Sequence, residues 1–240
     1  MLPPHLSVIV PAFEEAAVLA ENLTLLAKHL EGLGLNFEIL CVDDGSRDGT
    51  PALVARLESP LRGLTHPTNL GKGAAVRTGV LAARGERIVF LDADLSTDLA
   101  ALTPLLAALD AGADVALGSR RVFGARIERR QPWRREFAGR VFSALARWTI
   151  APAVSDFTCG FKGFRRDAAQ AIFRRARVDR WAFDAEVIAI ADALGLVMVQ
   201  VPVTWRHAGG SKVRVVGAAA GSLRELLGVA LRRRFGDLRR

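Results

Sequence analysis

The regular alternation of short apolar runs with amphipathic segments most constrains how this chain can fold. Residues 6–10 form an apolar run that is closed by Pro11, and residues 14–30 then carry apolar side chains at helical spacing. The same succession recurs after apolar runs at 37–42 and 87–91. Buried strands that are separated by helices of this length predict a mostly parallel sheet with helices on both faces. We therefore expect an α/β fold.

Acidic residues follow the predicted strands at the points where the strands end. Glu14 comes soon after the first strand, Asp43 and Asp44 follow the second, and Asp92 and Asp94 follow a later one. Ligands of open parallel sheets bind beyond the carboxyl ends of the strands, so we expect these acids to share one pocket. Each acid taken alone could instead be a turn or helix-cap residue.

The pair Asp92 and Asp94 is predicted to hold a divalent metal ion. Residues two apart on an extended chain point the same way, so both carboxylates can aim at one ion. Carboxylate oxygens favour Mg²⁺ or Mn²⁺, which leave positions open for water and substrate phosphates. The alternative is that Asp92 only caps the next helix. No glycine loop competes for the phosphates, because Val76 replaces the third glycine of a dinucleotide fingerprint and His66 the first glycine of a phosphate loop.

Charge is divided unevenly along the 240 residues. Residues 1–118 hold 8 Lys and Arg against 15 Asp and Glu, whereas residues 119–240 hold 25 against 10. The basic second half predicts a partner that is nucleic acid, anionic lipid or a phosphorylated substrate. No apolar stretch reaches the ~20 residues that span a bilayer, and we find no secretion signal. Cys41 and Cys159 match no zinc or redox spacing. We therefore expect a cytoplasmic protein that is soluble or peripheral at the cytoplasmic face of a membrane.

Five motifs, in this order, resemble those of the inverting nucleotide-sugar glycosyltransferases of family 2, which have the GT-A fold. They are VIVPAFEE at 8–15, VDDGS at 42–46, NLGKG at 69–73, DAD at 92–94 and GSR at 118–120. Three later motifs are similar to the branch that transfers sugars to polyprenyl phosphates, closest to dolichyl-phosphate beta-glucosyltransferases. They are DFTCGFK at 156–162, RWAFDAE at 180–186 and GSK at 210–212.

The resemblance implies a division of the chain. Residues 1–212 would form the GT-A glycosyltransferase domain, with a nucleotide-sugar-binding half at 1–118 and an acceptor-binding half at 119–212. Residues 213–240 would form a basic amphipathic helix at the end of the chain.

The resemblance also implies roles for individual residues on the donor side. Asp92 and Asp94 would bind Mg²⁺ or Mn²⁺ and, together with Arg120, would form the catalytic group. The implied donor-binding residues are Pro11, Phe13, Glu14, Asp43, Asp44, Lys72, Asp92 and Ala93. Some relatives carry an amide side chain two residues after the second aspartate, where this chain has Ser96.

On the acceptor side, cations would hold the lipid phosphate. A phosphate monoester has a second pKa of about 6, so it is largely dianionic at neutral pH and needs little help from a general base. Planar guanidinium groups are well suited to desolvate it and to aim one oxygen. The implied acceptor-binding residues are Arg120, Arg126, Arg129, Arg130, Lys162, Trp181, Asp184, Glu186 and Lys212. Solvated loop cations, first-turn helix acids and core aromatic residues are the alternatives at these positions.

Two segments have the pattern of helices that lie on a membrane surface. Residues 133–150 and 215–240 both carry apolar side chains on one side, interleaved with arginines. Each such cation contributes roughly 1 kcal/mol near an anionic surface, so we expect reversible docking to an anionic membrane. Packing of both helices against the catalytic domain is the alternative.

The sequence thus predicts an enzyme that transfers glucose from UDP-glucose to a dolichyl- or undecaprenyl-type polyprenyl phosphate with inversion. Within the same class, the alternative is a GDP-mannose-dependent mannosyltransferase. Outside it, the alternatives are a nucleic-acid-binding protein and an inactive sugar-nucleotide-binding module. We expect no nucleic-acid partner, because the chain lacks a clear recognition helix and the aromatic platform of a single-strand binder. The sequence fits a polysaccharide synthase less well, because Arg135 stands where such enzymes have tryptophan.

Overall fold

The computed structural model describes residues 4–208 and 215–239, with the backbone alone at 134–135 and 215–220. The strands of the described part are β1 (Leu6–Ala12), β2 (Phe37–Asp43), β3 (Leu61–Thr65), β4 (Arg87–Leu91), β5 (Val115–Ser119), β6 (Arg126–Arg129), β7 (Phe161–Arg165), β8 (Met198–Pro202) and β9 (Thr204–Arg206). Seven of them form one sheet in the order β3-β2-β1-β4-β7-β5-β8, and β6 pairs with β9. In the large sheet only β7 runs antiparallel to its neighbours. The predicted mostly parallel α/β architecture is confirmed.

Helices cover both faces of this sheet. They are α1 (Leu19–Gly32), α2 (Thr50–Val54), α3 (Lys72–Ala82), α4 (Leu102–Asp110), α5 (Trp133–Thr149), α6 (Arg166–Phe173), α7 (Phe183–Ala193) and α8 (Val215–Arg234), with a short 3₁₀ turn at Leu99–Ala101. Apolar residues of α1, α2 and α4 pack on one face, and those of α3, α5, α6, α7 and α8 pack on the other. The chain is therefore a three-layer structure with a core on each side of the sheet.

The central strands β1 and β4 are mostly apolar because both of their faces are buried. In β1, Ile9 belongs to the core under α3, whereas Val8 and Val10 belong to the core under α1. Helix α3 lies unusually close to β1, since a Cβ atom added to Gly79 would be 2.3 Å from Cγ2 of Ile9.

The first helix begins later than the apolar spacing predicts. A helix over residues 14–30 was expected, but α1 starts at Leu19. Glu14 has a φ of 58°, in the left-handed region, and the N–H of Glu15 donates to Oγ1 of Thr50 at 2.9 Å. The loop after β2 therefore holds these residues in a turn, and the helical prediction was wrong for them.

The two basic amphipathic helices each pack one side against the domain. Ala146 of α5, Ile150 just after it, and Leu226 and Val229 of α8 are buried in the core. Packing against the domain, the alternative to membrane docking, therefore holds for one side of each helix. Within the described residues, no helix combines the length and the apolar composition that crossing a bilayer requires.

Candidate active site

The carboxyl ends of β1, β2 and β4 meet at one edge of the sheet. These three strands are neighbours and parallel, with β1 in the middle. Ala12 is paired with Asp43, and the N–H of Asp44 donates to the carbonyl of Ala12 at 2.8 Å. The segment after β4 joins the same edge, where Nδ2 of Asn22 donates to the carbonyl of Ala93 at 2.8 Å. The topology therefore brings the three acidic clusters together.

Asp43 offers a buried acceptor atom that the described chain does not use. Its side chain is fully buried, and its Oδ1 accepts the N–H of Ser46 at 3.1 Å. Its Oδ2 is also buried and has no hydrogen-bond partner among the described residues. An unmade hydrogen bond at a buried carboxylate is costly, so this atom suits the N–H of a ligand.

Asp44, in contrast, is fully engaged in holding the loop before α3. Its Oδ1 accepts the N–H of Leu70 at 3.0 Å and lies 2.8 Å from Nδ1 of His66. Its Oδ2 accepts the N–H of Gly71 at 2.8 Å. These contacts show that Asp44 supports the loop that leads into α3 at Lys72.

Glu14 closes the loop that follows β2. Its N–H donates to Oγ of Ser46 at 2.8 Å, and its Oε1 accepts the N–H of Arg47 at 2.8 Å. Phe13 beside it is exposed, and Pro11 lies half-buried at the end of β1. The three residues therefore lie at the end of β1, on the same sheet edge as Asp43.

Lys72 is the first residue of α3 and forms an ion pair with Asp92. Burial disfavours its charge, but the nearby carboxylates of Asp92 and Asp184 outweigh burial and raise the pKa of the ammonium. The glycines on either side bring the backbone close to the segment before α7. A Cβ atom added to Gly71 would lie 2.3 Å from the carbonyl oxygen of Asp179. The close backbone contact therefore fixes where Lys72 enters the site.

Asp94 lies next to Asp92 in a turn that contains Leu95 at a φ of 48°. Its Oδ1 accepts the N–H of Ser96 at 3.0 Å. Burial, reinforced by the negative charge of Asp92, raises the pKa of the Asp94 carboxyl. Two carboxylates that repel each other in this way are suited to share a cation.

Gly160 leaves the space that the Asp92 carboxylate occupies. A Cβ atom at this position would lie 2.3 Å from Oδ2 of Asp92 and 2.6 Å from its Oδ1. In the sequence, Gly160 belongs to the motif DFTCGFK at 156–162, from which no role for the glycine follows. Its only signal in the sequence was its position next to Cys159, which says nothing about the distant Asp92.

The two aspartates fit a magnesium- or manganese-type ion as a partial ligand set. In the described part of the chain, no group of three or more His, Cys, Asp or Glu side chains could hold a metal ion. Asp92 and Asp94 would therefore supply two oxygen ligands, and substrate oxygens and water the others, as is usual for Mg²⁺. Gly160 has no Cβ atom to displace the Asp92 carboxylate from its position in this ligand set.

Arg120 lies just after β5 and is anchored by a buried carboxylate. Its Nε and Nη2 donate to the two carboxylate oxygens of Asp156 at 2.8 and 2.9 Å, and Nη2 also donates to Oγ1 of Thr158 at 2.8 Å. Burial alone would raise the pKa of Asp156, but its hydrogen bonds with Arg120 hold it well below the usual range. The guanidinium also lies 5.4 Å from the ring centroid of Trp205. Arg120 is therefore a rigidly oriented, permanently charged group.

Lys162 and Asp184 form a buried ion pair. Nζ of Lys162 donates to Asp184 at 2.5 Å and to the carbonyl of Cys159 at 2.6 Å. Lys162 is fully buried, and burial raises the pKa of Asp184 although Lys162 and Lys72 oppose this effect. Through the hydrogen bond from Lys162 to the carbonyl of Cys159, the pair holds the Cys159–Gly160 turn in place.

Glu186 connects α7 to α8 and to the segment before α7. Its Oε2 accepts the N–H groups of Arg177 and Val178 at 2.9 and 2.7 Å, and its Oε1 forms an ion pair with Arg232. Glu186 is fully buried. Its carboxylate therefore faces the protein interior.

The remaining predicted acceptor residues differ in position. Arg126 and Arg129 are exposed on β6. Arg130 follows β6, and its Nη1 lies 3.4 Å from Oε1 of Glu136. Trp181 is partly exposed just before α7. The prediction for Lys212 falls outside the described residues.

Comparison with known proteins establishes the family. Residues 7–173 match the model of glycosyl transferase family 2. The chain is a family 2 glycosyltransferase. It is 34% identical to a dolichyl-phosphate beta-glucosyltransferase of Trichomonas vaginalis over 87% of this chain and 66% of that protein. It is 35% identical to the Drosophila melanogaster protein of the same description over 87% of this chain and 69% of the relative. The chain thus spans about two thirds of the length of these relatives.

Solved structures support the GT-A fold of this glycosyltransferase. Glucosyl-3-phosphoglycerate synthase from Mycobacterium tuberculosis, in complex with Mn²⁺, UDP and glucosyl-3-phosphoglycerate, superposes with a TM-score of 0.70 at 20% identity. The superposition covers 96% of this chain and 80% of the other. At this identity the similarity shows the shared fold.

Replacing Gly160 by alanine is expected to weaken metal-dependent donor binding by the glycosyltransferase about tenfold, equivalent to about 1.4 kcal/mol. The added methyl group would displace the Asp92 carboxylate. Calorimetric titration of UDP in the presence of Mn²⁺ measures the effect. The matched control is Gly32→Ala, where an added Cβ has no atom within 4 Å. Equal affinity of the Gly160 variant and the control would contradict this role.

Replacing Glu186 by glutamine is expected to lower the free energy of unfolding by about 2 kcal/mol, because the partly buried Arg232 loses its charged partner. Urea denaturation measures this change. Glu31→Gln, on the exposed side of α1, is the control and should unfold like the original protein. An unchanged unfolding midpoint combined with a raised KM for the acceptor would instead support a direct acceptor contact.

Proposed function

We propose that this glycosyltransferase transfers glucose from UDP-glucose to a polyprenyl phosphate with inversion at the anomeric carbon. The observation that carries the proposal is the convergence at one sheet edge of an unused acceptor on Asp43 and the carboxylates of Asp92 and Asp94. The relatives named as dolichyl-phosphate beta-glucosyltransferases suggest the sugar and the acceptor class.

On the donor side, Oδ2 of Asp43 is proposed to accept the imide N–H of uracil. The border formed by Pro11, Phe13 and Glu14 would enclose the nucleoside, and Asp44 would act through the loop that it holds. Lys72 would lie near the diphosphate, where its charge compensates two anionic groups. Ala93 contributes a small side chain between the metal-binding acids.

Asp92 and Asp94 are proposed to hold Mg²⁺ or Mn²⁺. When bound, such an ion offsets the negative charge that develops on the departing diphosphate. Lys72 already pairs with Asp92, so the site presents two acids and one cation around the place where a diphosphate would lie. Gly160 keeps the Asp92 carboxylate free of steric conflict.

On the acceptor side, the phosphate oxygen is proposed to attack the anomeric carbon from the face opposite UDP. The bond from that oxygen to the carbon forms while the bond to UDP breaks, and the electron pair leaves with UDP. Arg120 is proposed to aim the acceptor phosphate, because Asp156 fixes its guanidinium plane. The other residues proposed to contact the acceptor are Arg126, Arg129, Arg130, Trp181 and Lys212. Lys162, Asp184 and Glu186 are buried in ion pairs, so their proposed part on the acceptor side is to hold the surrounding segments in place.

The reaction is proposed to take place at the cytoplasmic face of a membrane. A polyprenyl chain stays in the bilayer, so its phosphate is presented at the bilayer surface. The enzyme must therefore meet that surface with its acceptor side.

A donor screen tests the proposal. The enzyme is incubated with Mn²⁺, a short water-soluble prenyl phosphate and either UDP-glucose, UDP-galactose or GDP-mannose, and the products are identified by mass spectrometry. A hexosyl prenyl phosphate formed from UDP-glucose is expected. A product formed only from GDP-mannose would overturn the proposed donor, and no product from any donor would overturn the proposed reaction.

A further inference from the structure

Helix α5 carries a stripe of exposed apolar side chains along its outer side. The stripe consists of Trp133, Phe137, Val141, Leu145 and Trp148, which recur every three or four residues and therefore lie on one side of the helix. Trp148 is 85% exposed and Phe137 is 62% exposed. Large apolar residues this exposed are costly in water when they form a contiguous row, and such rows mark interaction surfaces.

Helix α8 repeats the arrangement. Leu223, Leu227 and Leu231 are exposed at four-residue spacing, and Phe235 continues the row just after the helix at 76% exposure. The two helices are joined where Nη1 of Arg233 donates to the carbonyl of Thr149 at the end of α5, at 3.2 Å. Two neighbouring helices thus each present an apolar row to the outside.

Cations accompany both rows. Helices α5 and α8 each contain four arginines and one glutamate. Arg147, Arg224 and Arg234 are exposed, as is Arg140, which pairs with Glu136. A basic partner would be repelled by this surface. The charge instead complements an anionic partner.

The apolar rows adjoin the proposed acceptor side of the enzyme. Arg121, next to Arg120, donates from Nη2 to the carbonyl of Gly139 on α5 at 3.4 Å. On the other helix, Glu225 accepts the N–H of Ala182, next to Trp181, at 3.1 Å. Both helices therefore lie beside segments that carry proposed acceptor residues.

We propose that these two rows form one docking face, which binds the surface of a bilayer that contains anionic lipids. The docking face is defined by Phe137 and Trp148 of α5, by Leu227 and Leu231 of α8, and by Phe235 just after α8. Amphipathic helices with arginines beside an apolar side bind in this way, with aromatic residues at the level of the lipid headgroups. The inference rests on the proposed function for its biological sense, since it explains how a lipid phosphate reaches Arg120. The binding itself requires no substrate.

Flotation with vesicles tests the docking face. The protein is mixed with vesicles of phosphatidylcholine alone or of phosphatidylcholine with phosphatidylglycerol, at low and at high salt. We expect flotation with the anionic vesicles that is weakened by salt. The double variants Phe137→Ser/Trp148→Ser and Leu227→Ser/Leu231→Ser should each reduce binding at least about tenfold. All four side chains are exposed, so the fold should tolerate these changes.

The matched control is Leu25→Ser/Val197→Ser, which removes two exposed apolar side chains outside both helices. It should float like the original protein. Absence of flotation with anionic vesicles, or equal flotation of the control and the α5 and α8 variants, would overturn the docking face. Sedimentation that shows a dimer dispersed by the same variants would also overturn it, in favour of an interface between copies.

Turnover of the short water-soluble acceptor, measured without vesicles, separates the two proposals. Normal turnover by variants that no longer float supports the docking face and leaves the proposed reaction intact. Flotation without turnover of any acceptor would overturn the proposed reaction alone.

Discussion

Changing Asp92 to asparagine is expected to reduce turnover about 10³-fold or more. Lewis-acid stabilisation contributes several kcal/mol to such a reaction, and each 1.36 kcal/mol corresponds to a factor of ten. The amide keeps the shape of the carboxylate but loses the charge that pairs with Lys72 and that would bind the metal. Steady-state kinetics with UDP-glucose and a short prenyl phosphate measure the loss.

Two further measurements make this result specific. Calorimetry should show that Mn²⁺ no longer strengthens UDP binding by the Asp92 variant. Asp98→Asn is the matched control. Asp98 is exposed, and its Oδ1 accepts the N–H of Ala100 at the start of the 3₁₀ turn, which asparagine can also do. If the Asp92 variant retained near-normal turnover, the assignment of the metal site would be refuted.

Changing Arg120 to lysine is expected to lower kcat by about 10²-fold, with donor binding unchanged. Lysine keeps a positive charge near the buried Asp156 but cannot form the paired hydrogen bonds that fix the guanidinium. Preorganised charge at a reacting phosphate is typically worth a factor of 10²–10³. Turnover with the prenyl phosphate and calorimetric affinity for UDP with Mn²⁺ measure the two effects separately.

The control for this experiment is Arg165→Lys. Arg165 is exposed and is the last residue of β7, whereas the Arg120 partners Asp156 and Thr158 come before the first residue of that strand. It should change neither quantity. A circular dichroism spectrum and a urea midpoint like those of the original protein would show that the Arg120 variant is folded. A folded Arg120 variant with unchanged kcat would exclude a role for this guanidinium in the reaction.

Local sequence pattern was sufficient to predict β1, β2 and β4, which form the parallel centre of the sheet, but it did not predict β8. The continuous apolar runs in β1, β2 and β4 follow from burial of both strand faces, and the helices between them have the apolar spacing of surface helices. The insertion of β7 between β4 and β5 had no such signal. The position and direction of β7 depend on its hydrogen-bonded pairing with β4 and β5, which are distant from it in the sequence.

For the candidate site, too, one part could be predicted from the sequence and another part could not. The clustering of Asp43, Asp92 and Asp94 was predictable, because the ends of adjacent parallel strands meet at one edge. The different environments of Asp43 and Asp44 were not predictable from two neighbouring letters. One retains a buried oxygen without a partner, and the other is used to hold the loop at Leu70 and Gly71.

The sequence by itself determined the alternation of elements, the placement of acids at strand ends and the amphipathic character of α5 and α8, because these are properties of neighbouring residues. Only the tertiary structure decided the pairings of Glu186 with Arg232, of Arg120 with Asp156 and of Gly160 with Asp92. Each joins residues on different elements. Their contact depends on how those elements pack, and side-chain spacing along the chain carries no information about it.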